Sequence, residues 1–194
     1  MALILASQSP RRRELLGLLR IPFTVTVADI DESMDADLSP EAAVAAVSRK
    51  KAFAVSRGQC DTVIAADTVV VCDGKILGKP HDEAEAEAML SMLSGRTHQV
   101  MTGMTVLRGD RAESRTEITH VTFRKLSRQE ILSYIRTGEP MDKAGAYGIQ
   151  GGAAVFAEAL QGDYFNVVGL PVCRLYTLLR EISPELFDST NSTL

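Results

Sequence analysis

The sequence lacks a basic excess: 21 Lys and Arg stand against 25 Asp and Glu, giving a formal charge of −4 and a pI near 5.4. That excludes a duplex nucleic-acid binder, which needs a basic face, so any anionic ligand has to be met by a local cluster of cations. Cysteine is sparse as well. Cys60, Cys72 and Cys173 are odd in number and far apart, with no C-x-x-C pair. A disulfide framework and a zinc site are thereby excluded, and a reduced, cytoplasmic setting is expected. No apolar stretch approaches the roughly 18 residues of a membrane span. The N-terminal apolar run is too short for a signal peptide and has no positive charge before it. Repeats and linkers are absent too, and Gly74 to Lys79 fails as a P-loop because its glycine spacing is one short and Pro80 stands where Ser or Thr is needed. What remains is 194 residues, 45% hydrophobic and 24% charged, the composition of a globular chain that folds as one large domain or one domain of two lobes.

The first fourteen residues organise the rest. Leu3 to Ala6 reads as a short buried strand, Ser9 as a helix N-cap, and Pro10 suits the first helical position, where its missing N–H costs nothing. Arg11, Arg12 and Arg13 then follow at the positive end of the helix dipole, where each cation opposes the dipole by a few tenths of a kcal/mol. That conflict is resolved if an anion sits there, held by Ser7, Ser9, Arg11, Arg12 and the free N–H groups; a solvated basic turn is the plain alternative. Leu15, Leu16, Leu18 and Leu19 supply the helix with an apolar stripe.

Phe23 to Val27 alternates like a half-buried strand, so the chain begins strand, helix, strand. Asp29 to Glu41 carries six carboxylates and no base, ordinarily a solvated loop, within which Asp31 and Glu32 could reach a metal. Ser39-Pro40 opens an alanine-rich helix expected to reach about Arg57 and to stop at Gly58. Lys50 and Lys51 lie about 100° apart on it, so one can face solvent while the other turns inward. Asp61 to Cys72 is a central strand buried on both faces with Asp67 in its middle. A carboxylate there is costly unless paired, hydrogen-bonded or bound to a cation, so Asp67 completes either a structural network or a site. Asp73-Gly74 signals a hairpin returning to Gly78-Lys79-Pro80, where Lys79 is a phosphate cation in a rigid frame or a solvated lysine.

Residues 82–93 read as an acidic-first helix, 97–107 and 113–124 as a long hairpin, and 127–137 as a further helix stopped by Gly138. His98 and His120 lack ligand spacing and are taken as structural. Gly145, Gly148, Gly151 and Gly152 would let backbone approach a ligand, with Gln150 offering a donor and an acceptor to a flat polar edge. The spacing is not the dinucleotide fingerprint. A strand near Val155, the segment Phe165 to Gly169, a helix opened by Pro171 and running to about Ile182, and a polar tail at 188–194 complete the chain.

Taken together, Ser7-Gln-Ser-Pro-Arg-Arg12, Asp31-Glu32, Lys51-Ala52, Ala66-Asp67-Thr68, Gly78-Lys79-Pro80, Ala144-Gly-Ala-Tyr-Gly-Ile-Gln150-Gly and Asn166-Val-Val-Gly-Leu-Pro171 closely resemble the Maf family of nucleoside triphosphate pyrophosphatases. The resemblance covers essentially the whole chain as a single Maf-like domain. It implies an α/β fold of the Maf and inosine-triphosphate-pyrophosphatase type, with a long mixed sheet and two lobes around a nucleotide-binding cleft. It also implies hydrolysis of a nucleoside triphosphate to the monophosphate and pyrophosphate with Mg²⁺ or Mn²⁺, in a homodimer. On this resemblance Asp67 takes the proton from water, Glu32 and Asp67 hold the metal, and Ser7, Arg12, Lys51 and Lys79 hold phosphate oxygens. Arg11, Thr68 and Gln150 sort the base and match the dTTP/UTP branch; Trp, Gln and Glu, expected there in the 7-methyl-GTP branch, are absent. Ala66 departs from the common Gly, and Arg13 has no assigned role. The alternative class is a nucleotide-binding regulator of cell division without turnover, after the family's association with septum formation.

Overall fold

The computed structural model describes residues 2–56 and 61–187. Its elements are β1 (Leu3–Ala6), α1 (Pro10–Gly17), β2 (Thr24–Val25), α2 (Pro40–Val55), β3 (Thr62–Cys72), β4 (Lys75–Leu77), α3 (Glu83–Leu93), β5 (Thr97–Arg108), β6 (Arg111–Phe123), α4 (Arg128–Ile135), β7 (Ala157–Gln161), α5 (Tyr164–Val168) and α6 (Val172–Ile182). The strands make one seven-stranded sheet in the order β2-β1-β3-β5-β6-β7, with β4 beside β3. β1 runs parallel to β2 and β3, whereas β4 is antiparallel to β3 and β7 to β6. The sheet is therefore mixed, as expected. The chain divides into two compact units: the first comprises the segment up to Asp67, Thr102–Glu117 and the segment from Gly169, the second Thr68–Met101 and Ile118–Val168.

In the first unit both early helices start where a serine caps them. The Ser9 hydroxyl accepts the Arg12 N–H at 3.4 Å and the Ser39 hydroxyl accepts the Ala42 N–H at 3.3 Å, each before a proline in the first turn. The α2 stripe Ala43, Val44, Val47, Ser48, Lys51, Ala52 and Val55 is buried; Lys51 lies on it because it is four residues from both Val47 and Val55. Ala52 and Val55 pack with Ile4, Ala6, Val63, Ala65 and Leu107. Gly103 permits this seating, since a Cβ there would lie 2.6 Å from the Ala45 amide nitrogen. Beside it the Ser48 and Thr105 hydroxyls meet at 2.7 Å, and those of Thr105 and Ser114 at 2.8 Å.

Three expectations are corrected here. Helix α1 ends at Gly17, which leaves Leu18 51% exposed while Leu15, Leu16 and Leu19 are buried, so the stripe loses one member. The strand expected over 23–27 pairs only at Thr24–Val25. Helix α2 stops at Val55, with Ser56 as its C-cap; Arg57, Gly58 and Cys60, like the tail at 188–194, fall outside the described residues.

In the second unit Asp73 (φ 50°) and Gly74 (φ 76°) both take the left-handed conformation that a two-residue hairpin turn needs. Ser127 and Glu130 form a reciprocal capping box at the start of α4. His98 bonds to the Tyr147 hydroxyl at 2.8 Å inside an edge-on aromatic cluster with Phe123, the structural role expected of it. Burial pushes its pKa down to about 4. The strand expected near Val155 begins instead at Ala157, because a 3₁₀ turn takes up Gly152–Val155. The segment after Asp163 turns into α5: the Phe165 N–H donates to the Asp163 carboxylate at 2.8 Å, and the Asn166 amide donates to the Val100 carbonyl at 3.0 Å and the Thr119 hydroxyl at 2.9 Å.

Candidate active site

Register places the central acid. β1 ends with Ala6 opposite Ala65, so Ser7 and Asp67 stand just beyond the carboxyl end of this parallel pair, the edge at which α/β sheets hold ligands. Side chains alternate along a strand, so Asp67 shares a face with Val63 and Ala65, the face that α2 covers. Lys51 is the α2 residue that meets it. Its ammonium lies 2.8 Å from Asp67 Oδ1 and 3.0 Å from Glu32 Oε2, with the Lys51 side chain 7% exposed, that of Asp67 12% and that of Glu32 52%. The buried acid is thus charge-paired, and the long acidic loop contributes Glu32 from its solvent side. Lys50, one residue earlier, is exposed.

The helix opening beside this group is tied down from several directions. Arg12 Nε donates to the Gly169 carbonyl at 2.8 Å and Nη1 reaches the Ser7 hydroxyl at 3.5 Å, while the Ser9 N–H donates to the same hydroxyl at 3.1 Å. Burial lowers the Arg12 pKa, the carboxylates of Asp67 and Glu32 pull it back up, and Arg11 adds a smaller depression. Arg12 therefore feels both carboxylates of the Lys51 group. The first unit brings together Ser7, Arg12, Glu32, Lys51 and Asp67 in an alternation of cations and acids, while Arg11, half-buried on α1, is linked to the group through its effect on Arg12. Arg13 is exposed.

The remaining candidates belong to the second unit. Thr68 is half-buried on β3, and Lys79 is exposed beyond β4, in a loop where the Gly78 carbonyl accepts the Gly145 N–H at 2.9 Å and Pro80 is buried. Gln150 is exposed in the glycine-rich segment. The clearance that glycine provides there is used differently from expectation. At Gly145 (φ 68°) a Cβ would lie 2.7 Å from Val70, and at Gly148 a Cβ would lie 2.8 Å from a Glu139 carboxylate oxygen. The room is taken by the protein's own side chains.

For a divalent ion the donor set is Glu32 and Asp67, hard carboxylate oxygens of the kind Mg²⁺ and Mn²⁺ prefer. No group of three or more His, Cys, Asp or Glu that could hold a metal occurs among the described residues. A Mg²⁺-type ion is usually held by one or two carboxylates together with substrate phosphates, and Glu32 and Asp67 supply two. Sequence reasoning missed the Gly169 carbonyl, 157 positions from the arginine it orients. It also missed Glu139 and Tyr134, which had no pattern to mark them. No helix of the described residues is long and apolar enough to cross a membrane.

The family model described as Maf-like protein matches residues 2–182, and the chain belongs to that family. Among curated relatives, a protein of Symbiobacterium thermophilum named dTTP/UTP pyrophosphatase is 53% identical over 187 residues, covering 95% of this chain and 96% of its own length. Proteins of the same name from Moorella thermoacetica and Bacillus velezensis are 52% and 50% identical over 182 residues, covering 91% and 93% of this chain and 93% and 96% of theirs.

Proposed function

We propose that this chain is a nucleoside triphosphate pyrophosphatase that cleaves dTTP and UTP to the monophosphate and pyrophosphate. The observation that carries the reading is the Glu32–Lys51–Asp67 group at the carboxyl edge of the parallel strands, beside the arginine-bearing opening of α1. A pure nucleotide binder has no need of a carboxylate in the middle of a buried strand. Membership of the Maf family and relatives named for this activity support the same conclusion.

In this mechanism Asp67 accepts a proton from the attacking water while the new bond forms at the α-phosphorus and the bridging bond to the β-phosphoryl group breaks, releasing pyrophosphate. Ser7, Arg12, Lys51 and Lys79 hold phosphate oxygens and stabilise the charge that grows on the leaving group. Glu32 and Asp67 would hold a Mg²⁺ or Mn²⁺ ion, which would supply further positive charge to stabilise the leaving pyrophosphate. Arg11, Thr68 and Gln150 read the O2, N3 and O4 edge of the pyrimidine, and a site built for those bonds rejects a base that leaves its polar groups unmatched. We further place the enzyme in the cytoplasm, from its few dispersed cysteines, and assign it as a homodimer, which light scattering tests directly.

Pyrophosphate release from a nucleotide panel is the primary test. Turnover of dTTP and UTP above GTP and 7-methyl-GTP supports the assignment; tight binding without release converts it to a sensor. Asp67→Asn is expected to lower turnover on dTTP at saturating Mg²⁺ by ~10²–10⁴. Near wild-type turnover in that variant would remove Asp67 from the role of base.

A further inference from the structure

Glu139 sits at the heart of the loop that carries Gln150. Gly138 (φ 74°) ends the preceding turn, and Glu139 opens a 3₁₀ turn to Asp142. One carboxylate oxygen accepts the Tyr134 hydroxyl at 2.9 Å and the other accepts the Gly152 N–H at 3.0 Å. The Tyr134 oxygen in turn accepts the Gly148 N–H at 3.0 Å, and Lys143 donates to the Glu139 carbonyl at 2.8 Å. The two amides that bracket Ile149-Gln150-Gly151 therefore end on one phenol–carboxylate pair. A further bond, Gly151 N–H to Gly148 carbonyl at 3.0 Å, closes the turn between them.

Glycine is required here by clearance. Gly148, Gly151 and Gly152 are outside the left-handed region. A Cβ at Gly151 would lie 2.6 Å from Glu139 Oε2, and one at Gly152 would lie 3.2 Å from the Tyr134 ring. A Cβ at Gly151 would push the carboxylate out of the position in which it accepts both bonds. Both bonds donate to the carboxylate, so an ionised acid satisfies them and a carboxamide, with its own N–H₂ facing a donor, satisfies only one. Burial and the neighbouring carboxylate raise the Tyr134 pKa, so the phenol keeps the proton it donates.

We propose that Glu139, acting with Tyr134, is a positioning residue for base selection: it holds the 148–152 segment in the conformation that presents Gln150. This rests on the reading of Gln150 as a base-facing residue. UTP and CTP differ only at the edge that Gln150 would read, so the test is the ratio of kcat/KM for UTP over CTP in the wild type, Gln150→Ala, Glu139→Gln and the double variant. Gln150→Ala is expected to lower the ratio about tenfold, the worth of one well-made hydrogen bond. Glu139→Gln should lower it by a similar factor through KM for UTP, and the double variant should fall no further than Gln150→Ala, the signature of coupled residues. Should Glu139→Gln fail to fold, Tyr134→Phe removes one of the two anchors and should move the ratio in the same direction. A ratio that shifts in Gln150→Ala but stays at the wild-type value in Glu139→Gln and Tyr134→Phe overturns the positioning role and leaves Gln150 in place. An unchanged ratio in Gln150→Ala overturns both readings together.

Discussion

The Glu32–Lys51–Asp67 group and the 145–152 segment are built on opposite plans. The first is made of charge: its members come from a loop, a helix and a strand, and they meet because a packed helix brings an ammonium against a buried carboxylate. The second is made of missing side chains, with backbone drawn around Glu139 where glycine leaves space. The difference teaches where each is fragile. A charge cluster resists small displacements and fails when a partner is removed, whereas at a glycine held by clearance the neighbour decides: an added methyl group costs little where it meets the far end of a side chain and more where it meets backbone.

Removing the ammonium is the severest way to sharpen this contrast. Lys51→Met would strand the Asp67 carboxylate in its buried place, and the expected loss is about 3–5 kcal/mol in urea denaturation at pH 7. Lys79→Ala separates chemistry from folding, because this exposed lysine can be lost without disturbing the core: turnover should drop ~10²–10³ while the urea midpoint stays put. Acid probes the second unit. The His98 pKa is lowered from 6.5 to about 4 by burial, so the unfolded chain binds more protons between those values. Stability is then fully present above pH 6.5 and declines as pH falls toward 4, by about 3 kcal/mol at 1.36 kcal/mol per pH unit. His98→Gln should flatten that part of the stability–pH curve.

Two glycine substitutions bear on the comparison itself. Gly103→Ala presses a methyl group against the backbone of Val44 and Ala45, which cannot yield, and should cost about 1–3 kcal/mol or more. Gly151→Ala presses against the far end of the Glu139 side chain, which can swing away at the loss of its bonds, about 1 kcal/mol. If the second proved costlier than the first in calorimetry, the distinction between a rigid and a yielding neighbour would be wrong.

Much of the fold was legible because its signals are short-range. Ser9-Pro10 and Ser39-Pro40 marked helix starts by capping alone, Asp73-Gly74 marked a hairpin by its backbone demands, and the apolar run through Asp67 marked the central strand and flagged its own anomaly. Lys51 could be narrowed to one of two neighbours by helical angle. The failures are mostly tertiary. Leu18 was placed on a stripe that the helix did not continue, and Val155, a good strand former, was absorbed by the turn that the glycine-rich segment imposes. Phe165 to Val168 is helical with Asp163 bonded to its opening N–H, a local signal left unread, and Asn166 is bonded to Val100 and Thr119, contacts no local pattern announces. The glycines at 148, 151 and 152 were noticed, yet the side chain they make room for could be named only once the chain had closed over Glu139.

The run of hydroxyls from Ser48 through Thr105 to Ser114, buried at its first two members and half-buried at the third, carries an evolutionary consequence. Truncating Ser48 or Thr105 alone strands its buried partner away from water, whereas exchanging the two for apolar isosteres together is close to neutral. Drift at Ser48 and Thr105 should therefore be concerted, and a homologue that has lost one hydroxyl should be found to have lost the other as well.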